Sequence, residues 1–527
     1  MKLNEQHLFP KHPTLVFVLF GIIMTGCGIL PSIPAYTYVN EEQEGGTPVP
    51  RANHAPLNAS GGNAKIFVGI AISGGGSRAA VFGAAVLEEL DRAGFLDHVT
   101  TISSVSGGSL PAAYFALNGE TIHSDEEWNS FNNLMRKSFR TTATFKFLLP
   151  HNFLLTALTD YDRTDIMAEV FDDALYNNRA FGELGQRGPR RPALLINATE
   201  LTGESGRNFT FSEDMFTTMN SRLDTFPISK AVAASSAFPG LMNPVTLRNY
   251  FEIPGKSPLP TKYVHLMDAG PSDNLGATSL LAAARAHSKN FSSSNACFMF
   301  LIDAHPSLET NSQLFSRDLR DGLLEHFINY NFLDSVDLLL IRRRATTLHE
   351  LGISIPTANP SPLLETDPIW PKNSRGLLGN PWFTRKGYQR VANSPLSRQD
   401  KSLGECTIWH IAMSEVASLP PTNAYLEKNA SSASDINNPI FKFREQLQKV
   451  AVSIQTDFNL VGPKEYCEKQ LQQTLRDIAH ILVNEDDKSR TEVCGWFSKH
   501  FPNSKFRCGE PINQLRQKNL PAMANQN

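Results

Sequence analysis

The chain has 527 residues, 41% of them hydrophobic and 19% charged, which is an ordinary globular composition. That length predicts one large domain or about two to three smaller ones, with a sizeable core in either case. The formal net charge is −3 and no basic stripe interrupts it, which argues against a nucleic-acid partner.

Lys2 and Lys11 precede an apolar stretch from Thr14 to Met24 that ends in Thr25, Gly26 and Cys27. This is the order of a secretory signal, and the run is about half of the roughly 20 apolar residues that a spanning helix needs. Met24-Thr25-Gly26-Cys27 resembles a bacterial lipobox, with Met24 at the place of the usual Leu. The resemblance implies removal of residues 1–26 and a lipid on Cys27. Gly28 after the cysteine is similar to the pattern of lipoproteins sent to an outer membrane, so the expected location is a bacterial cell envelope. An ordinary cleaved signal, leaving a periplasmic or secreted protein, is the alternative. Residues 27–62 are rich in Pro, Gly, Asn, Ser and Glu and read as a flexible tether with a root-mean-square reach of about 30 Å.

Ile66 to Ile72 reads as a buried strand that runs into Ser73-Gly74-Gly75-Gly76-Ser77-Arg78. A helix follows: Ala79, Ala80, Val81, Ala84, Ala85, Val86, Leu87 and Leu90 keep an apolar face, with Glu88, Glu89, Asp91 and Arg92 expected in solvent. Glycines at a strand-to-helix junction permit positive φ and bare N–H groups beside the positive end of the helix dipole, so the loop suits an anion. Gly74, Gly76 and Ala79 match G-x-G-x-x-[GA], so a dinucleotide pyrophosphate and an ester-hydrolysis oxyanion both fit at this point.

The next strand, from Val99, ends in Ser103-Ser104-Val105-Ser106-Gly107-Gly108, where a dinucleotide fold would place an acid. Small residues around a serine at such a junction resemble a nucleophile elbow, with Ser104 in place of the first Gly of G-x-S-x-G. A third short strand, Tyr263 to Met267, runs into Asp268-Ala269-Gly270 and a turn. Taken alone, Asp268 reads equally as a turn-forming or capping carboxylate.

Glycine loop, serine elbow and aspartate turn in this order resemble the patatin-like phospholipases. The resemblance covers about Ile66 to Leu281 and extends to the segments Ile196 to Gly203, Ala233 to Gly240 and Ile454 to Leu460. It implies a three-layer α/β fold, with a mostly parallel central sheet, helices on both faces and the motifs at the carboxyl ends of strands. It also implies hydrolysis of lipid acyl esters of the phospholipase A or lysophospholipase type. Ser106 would then be the nucleophile and Asp268 its base. Gly74, Gly75 and Gly76 would form the oxyanion hole, supported by Ser77, Arg78, Ser104, Gly107, Gly108, Ala269 and Gly270. Ala269 replaces a family Gly and is expected to tolerate a backbone geometry normally given to Gly. Arg78 is expected to brace the loop or to be a surface charge. The expected partners are a phospholipid or other lipid ester and a membrane reached through the anchor.

Other readings stay open on the sequence alone. A conventional Ser-Asp-His esterase or thioesterase would use His305 or His410. A lipid-binding envelope protein could keep the fold without turnover, since Ser104 and Ala269 both depart from the motif. Gly255-Lys256-Ser257 looks like the end of a phosphate loop, but Tyr250 stands at its first Gly. The apolar stretch Phe145 to Leu155 suits acyl chains or a core-facing helix broken at Pro150.

One hydrolase domain is expected over 63–485, with a motif core at 66–285, insertions at about 310–405 and a tail at 486–527. Of the six cysteines, Cys297 lies in an apolar run and reads as a buried free thiol. Cys406, Cys467, Cys494 and Cys508 then allow three pairings, with the tail among those that a disulfide could hold. No Cys or His spacing resembles a zinc site, and neither metal nor cofactor is expected.

Overall fold

A computed structural model describes residues 40–43, 66–184, 189–202, 207–251, 262–290, 296–305, 331–353, 390–397, 400–419 and 439–508. The expected signal, Cys27, nearly all of the tether and Gly255-Lys256-Ser257 lie outside these residues.

A nine-stranded sheet runs through the molecule in the order β8-β9-β7-β1-β2-β3-β6-β5, with β4 added to β3. The strands are β1 Ile66–Ile72, β2 Thr101–Val105, β3 Ala193–Glu200, β4 Asn208–Phe211, β5 Val245–Arg248, β6 Tyr263–Met267, β7 Ala296–Asp303, β8 Val391–Pro395 and β9 Glu405–Ala412. The five central strands, β9, β7, β1, β2 and β3, are parallel, and the flanking pairs are antiparallel. Strands covered on both faces read as continuous apolar runs, and β1 is buried at all seven positions. Its side chains divide by period two. Ile66, Val68, Ile70 and Ile72 enter one core, and Phe67 and Ala71 the other.

The first core holds α1 Gly76–Arg92 and α2 Ser109–Asn118, the helices that leave β1 and β2. Four further helices follow before β3: α3 Asp125–Met135, α4 Phe139–Leu148, α5 Pro150–Leu158 and α6 Arg163–Phe171. Later come α7 Ile228–Ser235, α8 Ala277–Asn290, α9 Asn331–Glu350, α10 Pro439–Ser453, α11 Glu468–Asn484 and α12 Asp487–His500. Leu280, Ala283 and Ala284 of α8 cover the second core, which completes a three-layer α/β arrangement. Among the described residues no helix is long and apolar enough to cross a membrane.

Three expectations need correction. Glu88 and Glu89 are buried, not solvated, because α11 lies over α1. Arg476 pairs with Glu88 at 2.8 Å, and Asn484 donates to Glu89 at 2.7 Å. Cys297 is not a free thiol. It occupies β7 one step before the Phe298–Thr407 pair, opposite Cys406 on β9, and the two form a disulfide with Cα atoms 4.5 Å apart. Cys494 pairs with Cys508, and Cys467 is free and exposed. The body of the molecule also passes residue 485. Phe497 of α12 is fully buried against Phe95, Phe298 and Phe300. The end of the expected insertion supplies the edge strand β8.

Candidate active site

The turn from β2 to α2 forces Ser106 to φ +49°. A non-glycine residue in the left-handed region is strained, and the strain lifts the hydroxyl above the strand end, as an elbow requires. Its backbone N–H donates to Ser235 Oγ at 2.8 Å, which anchors the turn to α7. Two loops meet here closely. A Cβ on Gly107 would overlap the Gly76 carbonyl, so glycine is needed for the elbow to touch the glycine loop.

Asp268 reaches the same edge by an unexpected route. β6 runs antiparallel to β3 and pairs with it only at Thr199–Met267 and Glu200–Leu266, so its carboxyl end comes down onto the carboxyl end of β3. The Asp268 N–H donates to Ala237 O at 2.9 Å and the Ala269 N–H to Ser235 O at 3.2 Å. The segment Ala233 to Gly240 thus fixes both the serine and the aspartate. Gly270 N–H donates to Asp268 Oδ1 at 2.8 Å. Burial outweighs that bond and the influence of the neighbouring Ser106 hydroxyl, and pushes the Asp268 carboxyl up to about 6.

Both departures from the motif are accommodated. Ala269 lies at φ −73°, ψ −17°, ordinary right-handed backbone, so the glycine geometry expected there is not needed. Ser104 is buried in β2 and its hydroxyl donates to Leu195 O at 3.4 Å.

The glycine loop has φ +136° at Gly75 and +55° at Gly76, at the head of the 17-residue α1. The Gly74 amide is committed to Asn274 O at 3.0 Å. It is therefore not available as the oxyanion donor that was expected of it. The segment Ile454 to Leu460 braces this loop. Ser77 N–H donates to Asp457 O and Ser77 Oγ to Asn459 O, each at 2.8 Å. Arg78 is buried and donates to Ala304 O at 3.1 Å and Ile454 O at 2.9 Å, so it is a brace and not a surface charge. Asn274, Ser235 and Asp457 were missed by sequence reasoning. The only signals were that Ser235 and Asp457 fall in segments resembling the family.

Of the histidines proposed for a triad, His410 is engaged elsewhere. His410 is on β9, three strands from β2 or roughly 14 Å at ordinary strand spacing, and its Nε2 lies 3.0 Å from Asp303 Oδ2 at the end of β7. The backbone N–H of His305 donates to Asp303 Oδ1 at 3.1 Å, which places His305 just past the end of β7. His265 lies 2.9 Å from Thr246 Oγ1 on the neighbouring strand.

Residues 70–281 match the family model of the patatin-like phospholipases. This stretch is a patatin-like phospholipase domain. Human GIVD cytosolic phospholipase A2 is similar at 13% identity and a TM-score of 0.42, over 83% of this chain and 61% of that one. The chain therefore matches less than two thirds of that protein's length. VipD from Legionella pneumophila is similar at 12% identity and a TM-score of 0.24, over 90% of this chain and 84% of that one. No curated protein matches the chain. Strained serine, buried aspartate and glycine loop all fall within the patatin-like domain.

Proposed function

We propose that the patatin-like domain hydrolyses carboxylic esters of lipids, phospholipids and lysophospholipids foremost, through a Ser106–Asp268 dyad. One observation carries this reading: a serine strained to positive φ stands beside a buried aspartate whose carboxyl burial raises to about 6. An ordinary carboxylate is too weak a base for a hydroxyl, and one raised toward neutrality is better matched to proton transfer.

Asp268 accepts the Ser106 proton as Oγ attacks the acyl carbon. The oxyanion that forms is held by the amides of Gly75 and Gly76, at the positive end of α1. Collapse expels the alcohol, which takes the proton back from Asp268 and leaves an acyl-serine. Water, giving its proton to Asp268, attacks that ester, and Ser106 is reprotonated as the fatty acid leaves. Removing one oxyanion donor of this kind typically costs about 3 kcal/mol in the transition state. The lipobox-like Met24-Thr25-Gly26-Cys27 supports a lipid on Cys27 that would hold the enzyme at an envelope membrane.

A fluorophosphonate probe tests the dyad. Labelling and phospholipid hydrolysis should both vanish in Ser106→Ala and fall about 10²–10⁴-fold in Asp268→Asn, while His305→Gln stays near wild type. A folded His305→Gln as inactive as Ser106→Ala would sink the dyad. Membrane fractionation of Cys27→Ser tests the anchor, which is wrong if the variant is processed and partitions like wild type.

A further inference from the structure

Eleven large apolar side chains are exposed among the described residues, and six of them lie on the hairpin α4–α5. Phe145 and Leu148 are 68% and 63% exposed, and Leu149, Phe153, Leu154 and Leu158 stand in solvent beside them. The alternative of a core-facing helix accounts only for the other side of α4, where Phe139 and Ala143, four residues apart, are buried. The protein covers that side, and the large apolar side chains at the outer end of the hairpin are left facing water, where burial in a second apolar medium is favourable. So concentrated an apolar patch marks an interaction surface.

Charge indicates what lies on the other side. From Trp128 to Thr159 the sequence has Arg136, Lys137, Arg140 and Lys146 and no acidic residue, within a chain of net charge −3. Arg136, just before α4, and Arg140, in its first turn, pair with Glu468 and Asp457 of neighbouring elements, and Lys146 in its last turn pairs with Asp173. An apolar tip on a segment whose own charges are all basic is the profile of an element that lies in an anionic lipid interface.

The hairpin is also tied to the dyad. Thr141 N–H donates to Asn459 Oδ1 at 3.1 Å, and the carbonyls of Asp457 and Asn459 accept from Ser77 in the glycine loop. At the other end α5 leads into α6, whose Thr164 Oγ1 donates to Asn243 O at 2.7 Å and accepts from Asn243 N at 2.9 Å. Asn243 follows the exposed Leu241 in the loop that leads from Ala237, the partner of Asp268.

We propose that α4–α5 is the docking element that seats this protein on an anionic phospholipid bilayer, with its apolar tip at the acyl-chain boundary and its cations at the headgroups. The proposal rests on the lipid-ester reading, and its test separates the two. The full-length chain carrying Ser106→Ala and Cys27→Ser, so that neither turnover nor an anchor contributes, is sedimented with equimolar phosphatidylglycerol–phosphatidylcholine vesicles and with phosphatidylcholine alone. Binding should favour the anionic vesicles and weaken with salt. Adding Leu148→Ser, Phe153→Ser and Leu154→Ser should lower partitioning at least tenfold. The same three changes in the active chain should leave melting and short-chain soluble ester hydrolysis near wild type. Undiminished vesicle binding by the triple variant overturns the proposal. So does a dimer that binds no vesicles and dissociates in that variant, which would assign the patch to a second copy. Intact vesicle binding with no turnover of any ester would instead remove the hydrolase reading.

Discussion

At the scale of single residues, the site sets activity against stability. Asp268 has a folded pKa above its unfolded value, so its contribution to stability is full below about pH 4 and is lost as pH rises through about 6. On the proposed mechanism Asp268 must be ionised, so turnover should rise over the same window. Asp268→Asn cannot ionise. It should be inactive yet more stable than wild type at pH 7, by on the order of 3 kcal/mol for a gap of two units, with the difference shrinking toward pH 4. Denaturant unfolding at both pH values checks this, and an advantage that does not change with pH would refute it. The glycines separate in a similar way. A Cβ on Gly75 would lie 3.4 Å from Ala79 Cβ, ordinary contact, so Gly75→Ala should cost about 1–3 kcal/mol of backbone strain and most of the activity. A Cβ on Gly76 would overlap the Thr456 carbonyl, so Gly76→Ala should lower the melting temperature much further than Gly75→Ala.

At the scale of elements, the glycine loop depends on a buried ion cluster behind it. Asp303 ends β7, Arg344 of α9 donates to it at 2.7 Å, and His410 of β9 lies 3.0 Å away. Burial alone would raise the Asp303 carboxyl, but the charge of Arg344 and the His410 bond outweigh it and hold it well below the usual carboxylate range. The next residue, Ala304, accepts from Arg78 and donates to Ser73 Oγ at 2.9 Å, which joins the cluster to the loop. Removing one partner leaves a buried charge uncompensated. Arg344→Met should therefore cost about 3–5 kcal/mol in urea unfolding. A loss under 1 kcal/mol would mean that His410 and solvent suffice.

At the scale of the whole molecule, two disulfides close loops of very different size. Cys297–Cys406 spans 109 residues and Cys494–Cys508 spans 14. Loop-closure entropy assigns them about 5 and about 3 kcal/mol. Replacing Cys297 and Cys406 together by Ala should thus lower the melting temperature more than replacing Cys494 and Cys508, and the reverse order would show that α12 depends on its staple more than on its packing.

The strand-to-helix junctions were legible because the information is local. Apolar runs ending in small residues dictate buried strands and tight turns, so β1, β2 and β6 with Ser106 and Asp268 at their ends follow from short windows. The surroundings were not legible, because they join residues far apart in sequence. Asn274 takes the Gly74 amide, Asp457 clamps Ser77, α11 covers Glu88 and Glu89, and Cys297 meets Cys406 only where β7 and β9 run in register. The sequence by itself determined where the strand ends, the glycine loop and the tight turns fall, since these depend on side-chain type and local geometry. Only the tertiary structure decided that Asn274 takes the Gly74 amide, how an antiparallel β6 delivers Asp268 to the edge that holds Ser106, and that the Phe145 to Leu158 hairpin faces outward, because each is a question of what packs against what.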